Sequence, residues 1–147
     1  SKAFAMTGLR VGYCVAARKT IEQLERVRPP GSLNTLSAKA ADRALRQPEI
    51  AAANAQALCD EREWLGVRLA QAGLPPTPSV TNFLLCRIGT PGEADELNET
   101  LLRGGIVVRT FGPDSPLAGH LRFTVRDREQ NERLLSIIEA WTAGRSA

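Results

Sequence analysis

The hydrophobic positions change period along the chain, and the changes predict its elements. Residues 9–16, Leu-Arg-Val-Gly-Tyr-Cys-Val-Ala, follow the turn residue Gly8 and predict a short buried strand with Val11, Tyr13 and Val15 in its apolar set. Thr20 with Gln23 three residues later has capping-box spacing, and Ile21, Leu24 and Val27 then recur on one helical face until Pro29-Pro30-Gly31 ends the pattern. A second helix is predicted over 32–46, with Leu33, Leu36, Ala40, Ala41 and Leu45 as its packing face, broken at Gln47-Pro48. A third runs from about Glu49 to Ala72. Ile50, Ala53, Ala57, Leu58, Trp64, Leu65 and Leu69 keep helical spacing, and Gly73 stands where a C-terminal cap belongs. At about 1.5 Å per residue it spans ~35 Å, a length at which one helix often serves two domains.

After the Pro75–Ser79 loop the rhythm shortens. Residues 82–88 predict a strand, 92–103 a helix, Ile106–Arg109 a strand after Gly104-Gly105, His120–Val125 a strand, and Asp127–Trp141 a closing amphipathic helix. Strand, helix, strand, strand, helix is the order of a small α/β domain with helices covering one face of a short sheet. The expected organisation is a closing segment of a larger domain over 1–48, an inter-domain helix and loop over 49–75, and a small α/β domain over 76–147. The 9–16 strand has no partner strand nearby in sequence, and the chain opens Ser-Lys-Ala-Phe without an initiator Met. Both lead to the expectation that it is the back portion of a longer protein.

Composition narrows the function classes. The net charge is only +3, with basic and acidic residues interspersed, as in Asp60-Glu61-Arg62-Glu63; that is a solvated mixed surface, not a nucleic-acid patch. No apolar run approaches the ~20 residues of a membrane helix. Cys14, Cys59 and Cys86 are dispersed and odd in number, and His120 is the sole histidine. A zinc centre, a disulfide framework and a Ser-His or Cys-His site remote from His120 are all poor fits; reduced thiols and a cytoplasmic location are expected.

The chemistry-bearing residues cluster at the start. A lysine amine can form a Schiff base, a guanidinium can fork onto a phosphate, and a hydroxyl can donate beside it. Lys2, Arg10 and Ser1, set about a turn that leads into an apolar segment, together suit pyridoxal phosphate. On their own, the same residues read more readily as a solvated surface turn.

Ser1-Lys2-Ala3-Phe4 followed by Gly8-Leu9-Arg10-Val11-Gly12-Tyr13 resembles the Schiff-base lysine motif of the class I/II aminotransferases, most closely the histidinol-phosphate type. Ser79-Val80-Thr81-Asn82-Phe83, Gly104-Gly105-Ile106-Val107-Val108-Arg109, and Leu121-Arg122-Phe123-Thr124-Val125 with the following Glu129-Gln130-Asn131 are similar to later motifs of that family, in order. Met6-Thr7 and Arg126 depart from its commoner residues. The resemblance implies the C-terminal part of a fold type I pyridoxal-phosphate enzyme. It implies Lys2 as the catalytic, cofactor-bonded lysine, Ser1 and Arg10 on the cofactor phosphate, and Arg122 on the substrate α-carboxylate. Arg109 is a second candidate for a substrate carboxylate or phosphate, or else a rim residue. His120 reads as a surface histidine, Asn82 as a backbone partner near the domain junction, and Trp64 and Trp141 as packing residues. The implied activity is transamination of histidinol phosphate or a related amine with 2-oxoglutarate, in a homodimer, within histidine biosynthesis. An aromatic aminotransferase or a phosphothreonine-type decarboxylase shares these residues, and a non-enzymatic α/β binding or dimerisation domain is the rival of another class. The rest of a complete site is expected upstream of Ser1, so the chain alone is not expected to be active. No metal is expected.

Overall fold

The computed structural model describes residues 4–145, so Ser1 and Lys2 lie outside the described residues. The chain divides into two compact units, Ser1–Gln56 and Ala57–Ala147. The division falls inside the long helix.

The first unit holds a 3-10 turn, Thr7–Leu9, then α1 (Arg18–Val27), α2 (Thr35–Leu45) and the opening turns of α3 (Pro48–Gln71). The strand expected over 9–16 does not form. Tyr13 is 78% exposed and Val15 87%. A strand is held by its ladder, and no strand among the described residues of this unit offers one. The Thr20 cap is also displaced. α1 begins three residues earlier, behind Ala17, without a side-chain cap, and the Thr20 N–H donates to the Ala17 carbonyl inside the first turn. An Arg18–Glu22 ion pair at 2.9 Å supports that turn. α2 is capped by Asn34, whose Oδ1 accepts from the Ser37 N–H at 2.8 Å. Leu24, Val27, Leu33, Leu36, Leu45 and Ile50 are all exposed.

The second unit is built around a core. The later turns of α3 bury Leu65 and Leu69. Gly73, at φ 85°, closes the helix as predicted: Leu74 N–H reaches the Leu69 carbonyl and Gly73 N–H that of Ala70, the reciprocal pair of a Schellman ending. β1 (Phe83–Arg87) and β2 (His120–Thr124) pair antiparallel, with Leu85 opposite Arg122 and Phe83 opposite Thr124. Between them α4 (Pro91–Arg103) starts at a complete Thr90–Glu93 capping box with Pro91 at its first position. α5 (Arg128–Arg145) follows β2.

Period-two alternation sends Leu84, Cys86, Leu121 and Phe123 inward against Leu65, Leu69, Ala94, Leu97, Leu101, Leu134, Leu135 and Ile138. This is the two-layer arrangement of helices on one sheet face that the pattern predicts. Ion pairs link α3 to α5: Glu61 with Arg128 at 2.8 Å and Arg68 with Glu139 at 2.8 Å. Arg145 reaches Glu93 and Glu96 at the start of α4.

The strand expected over 106–109 is reduced to a single bridge, Arg109 opposite Arg122. The cause is the ending of α4. Gly105, at φ 75°, lets the Ile106 N–H turn back to the Leu101 carbonyl, so that donor is committed to the helix. Only at Arg109 has the chain reached ladder distance. No helix among the described residues is long and apolar enough to cross a membrane.

Candidate functional site

The sheet of the second unit has a core face and an opposite face. The latter carries Phe83, Leu85 and Arg87 on β1 and His120, Arg122 and Thr124 on β2, since alternate residues share a face. Arg109 joins them. It exchanges both main-chain hydrogen bonds with Arg122, N–H to carbonyl at 3.2 and 3.0 Å, so the two residues are directly opposite. Side chains of directly opposite residues stand on one face, about 5 Å apart at Cβ. The structure therefore brings together two of the sequence-predicted residues, Arg122 and Arg109.

Two arginines in that position repel unless an anion lies between them. Among the described residues neither forms an ion pair. The Arg122 guanidinium lies over the Phe83 ring, Cζ 4.5 Å from its centroid, and its buried Nε has no hydrogen-bond partner among the described residues. Arg109 is exposed. A half-buried cation and an exposed one, with no acidic partner among the described residues, have the chemistry to accept an anionic group: a carboxylate or a phosphate can take a planar guanidinium fork.

His120 turns Nδ1 toward the Ala118 carbonyl at 3.3 Å and borders a cavity of about 110 Å³ with Asp95 and Phe111. A cavity of about 600 Å³ is lined by the Gly105–Val108 segment and the start of α5, and includes neither Arg109 nor Arg122. Asn82 meets Val125 through its main-chain carbonyl at 3.0 Å. Trp64 lies under the Arg128 guanidinium and Trp141 under that of Arg145, so both rings are packing residues. Cys86 is buried, and burial pushes its thiol up to about 12, which removes it as a nucleophile near neutrality.

Sequence reasoning missed the frame behind β2. Asn131 is 1% exposed. Its Oδ1 accepts from the Arg126 N–H at 3.0 Å, and its Nδ2 donates to the Arg126 carbonyl at 2.8 Å and to Glu61 at 3.1 Å. Glu61 also takes the Arg128 guanidinium, which with the Asn131 contact holds its carboxyl below the ordinary range. The loop leaving β2 is thus tied to α3. The signals were the place of Asn131 in a family-like motif and its polar side chain on the apolar stripe of α5.

In the first unit, Arg10 sits at the end of a turn with two left-handed non-glycine residues, Ala5 and Arg10, each at φ 52°. Such a conformation costs a non-glycine residue about 1–2 kcal/mol. Arg10 is exposed and donates Nη1 to the Thr7 carbonyl at 3.2 Å, with no ion pair among the described residues. Among the described residues, the Thr7 carbonyl is the hydrogen-bond partner shown for its guanidinium. Ser1 and Lys2 lie outside the described residues.

Residues 1–138 match the family described as Aminotransferase class I and II. The chain belongs to the class I and II aminotransferases. The curated relatives of this class I/II chain include the histidinol-phosphate aminotransferase of Ruegeria pomeroyi, 34% identical over 147 residues, a match covering 99% of this chain and 40% of that protein. Histidinol-phosphate aminotransferase 1 of Carboxydothermus hydrogenoformans is 36% identical over 135 residues, with 92% and 38% covered. The chain spans about two fifths of the length of the curated relatives it matches. Among solved structures, the histidinol-phosphate aminotransferase of Sinorhizobium meliloti in complex with pyridoxal-5'-phosphate superposes with a TM-score of 0.86 at 23% identity, covering 97% of this chain and 39% of that one. L-threonine-O-3-phosphate decarboxylase of Porphyromonas gingivalis superposes at 0.76 and 24% identity, with 96% and 44% covered. The fold is accordingly that of fold type I enzymes, over about two fifths of their chain.

Proposed function

We propose that the chain is the C-terminal portion of a pyridoxal-phosphate-dependent aminotransferase acting on histidinol phosphate or a closely related amine, with 2-oxoglutarate as acceptor. The relatives' names favour that substrate over an aromatic amino acid or a decarboxylation, and a place in histidine biosynthesis, a homodimer and a cytoplasmic location follow the same reading. The observation that carries it is the Arg109–Arg122 pair, two directly opposed arginines with no ion pair among the described residues. Substrate and acceptor of such a reaction are both anionic.

The first unit suits the cofactor. The Arg10 guanidinium has donors to spare for a phosphate, and the left-handed turn before it sets where that charge stands. Lys2 and Ser1 complete the proposed set, Lys2 as the covalent attachment and Ser1 as a hydroxyl donor. When bound, pyridoxal phosphate supplies the electron sink that makes the substrate Cα–H acidic. A free Lys2 amine would be the group to take a proton at the substrate Cα as base and, once protonated, to act as acid. Arg122 would fork onto the α-carboxylate of the 2-oxoglutarate couple, or onto the phosphate of histidinol phosphate, which has no carboxylate. Arg109 adds a second cation for the phosphate or the distal carboxylate. The proposed domain roles are a closing segment of the cofactor domain over 1–48, a joining helix and loop over 49–75 and a substrate-facing small domain over 76–147.

Two measurements on the full protein test this. Borohydride treatment of the cofactor-loaded protein, followed by peptide mapping, is expected to place the label on Lys2; a label on Lys19 or Lys39 sinks the assignment. Arg122→Gln is expected to lower kcat/KM by roughly thirty-fold to several thousand-fold, the loss of a desolvated charge pair, while cofactor affinity stays within about twofold. Arg122→Lys should rescue little, since an ammonium lacks the planar fork. Loss of cofactor instead of substrate would transfer the role to Arg109.

A further inference from the structure

We infer that Phe83 is the positioning residue that sets the Arg122 guanidinium for anion binding, an inference that rests on the substrate-binding reading of Arg122 above. Phe83 opposes Thr124, two residues along from Arg122, and Leu85 opposes Arg122. The two side chains are therefore diagonal neighbours on one sheet face, within reach of each other when one is aromatic and the other long. The contact is made: Cζ of Arg122 lies 4.5 Å from the Phe83 centroid.

What makes this more than packing is what Arg122 lacks. A half-buried arginine is ordinarily held by hydrogen bonds to carboxylates or carbonyls. Here, among the described residues, the buried Nε has no hydrogen-bond partner and no carboxylate pairs with the guanidinium. The contact that orients the planar group is the ring. A carboxylate in that role would neutralise the cation before substrate arrived. A ring face attracts the cation through its quadrupole and leaves the net charge available. It also fixes a side chain with much rotamer freedom before binding, so less ordering is left to the encounter. Loops and β1 give Phe83 a fixed seat: its carbonyl accepts from the Ser79 hydroxyl at 2.8 Å.

The test uses the full, cofactor-loaded protein and four variants: Phe83→Leu, Phe83→Tyr, Phe83→Trp and Arg122→Gln. Phe83→Leu keeps apolar bulk and removes the ring face; KM for 2-oxoglutarate is expected to rise about tenfold with kcat within twofold. Phe83→Tyr and Phe83→Trp are expected to stay within about threefold of the parent. In an Arg122→Gln background Phe83→Leu should add nothing, because its effect passes through the missing guanidinium. The inference is overturned if Phe83→Leu matches the parent while Arg122→Gln is impaired, or if leucine and tyrosine are impaired alike. It is also overturned if Phe83→Leu fails to fold, which would make Phe83 a stability residue. If Arg122→Gln itself is silent, the carboxylate reading fails first and takes this one with it.

Discussion

The two units of the chain divide the work of folding unequally. The second closes a core of leucines, Phe123, Cys86 and Ile138, with Asn131 fully satisfied at its edge. The first buries Ser37 and leaves Tyr13, Val15, Val27 and Leu36 in water, although its hydrophobic pattern is as regular. Helical and strand periodicity says which face of an element is apolar; it does not say that the covering surface is in the same stretch of chain. Exposed apolar faces of this extent mark surfaces that ordinarily meet another surface.

Hydrogen exchange on the 147-residue chain would break or sharpen this contrast most directly. Amides of β1, β2 and α4 are expected to exchange at least a thousandfold slower than those of 11–16, because a closed core exchanges through global opening and an unladdered segment does not. Comparable protection over 11–16 would restore the buried strand. A smaller effect separates the units by mutation. Phe123→Ala should destabilise the second unit by about 3–5 kcal/mol in denaturant unfolding, the cost of a large aromatic cavity. Val15→Ser should stay within about 0.5 kcal/mol and improve solubility. Equal losses would mean that the first unit has a core after all.

The smallest expected effect is electrostatic. The carboxyls of Glu61 and Glu93 are held below the ordinary 4.5, Glu61 first by the Arg128 hydrogen bond and Glu93 first by the Thr90 N–H. A lowered folded value means that the stabilisation is full above the ordinary value and is lost as pH falls through the folded one. The Tm of the second unit should therefore drop below about pH 4.5, and Glu61→Gln should flatten that drop while costing about 1 kcal/mol at neutral pH. An unchanged acid profile would remove Glu61 from the frame behind β2.

Legibility in the sequence followed the same division. The boundaries of α3 and α4, the Gly73 ending, both paired strands and the core face of the sheet were readable because pattern, cap and turn residues agreed. The 9–16 strand was misread because apolar content was taken for pairing. The 106–109 strand was misread because the Schellman ending of α4 spends the Ile106 donor, a matter of backbone geometry that composition does not carry. In the candidate site, Arg122 and Arg109 were legible through motif resemblance, and their cross-strand juxtaposition was not. Phe83 and Asn131 were legible as residues of motifs, but their partners, Arg122 and Glu61, lie 39 and 70 positions away.

The ion pairs between α3 and α5 have a consequence in time. Arg68 and Glu139 are 71 residues apart, and Glu61 and Arg128 are 67 apart. At ribosomal rates of about 5–20 residues per second, α3 is made roughly four to fourteen seconds before the helix that answers it. For that interval Trp64, Leu65 and Leu69 have no α5 to lie against. The core face of α3 is therefore uncovered by α5 for that interval, and slowing translation across 72–127 should lengthen the exposure.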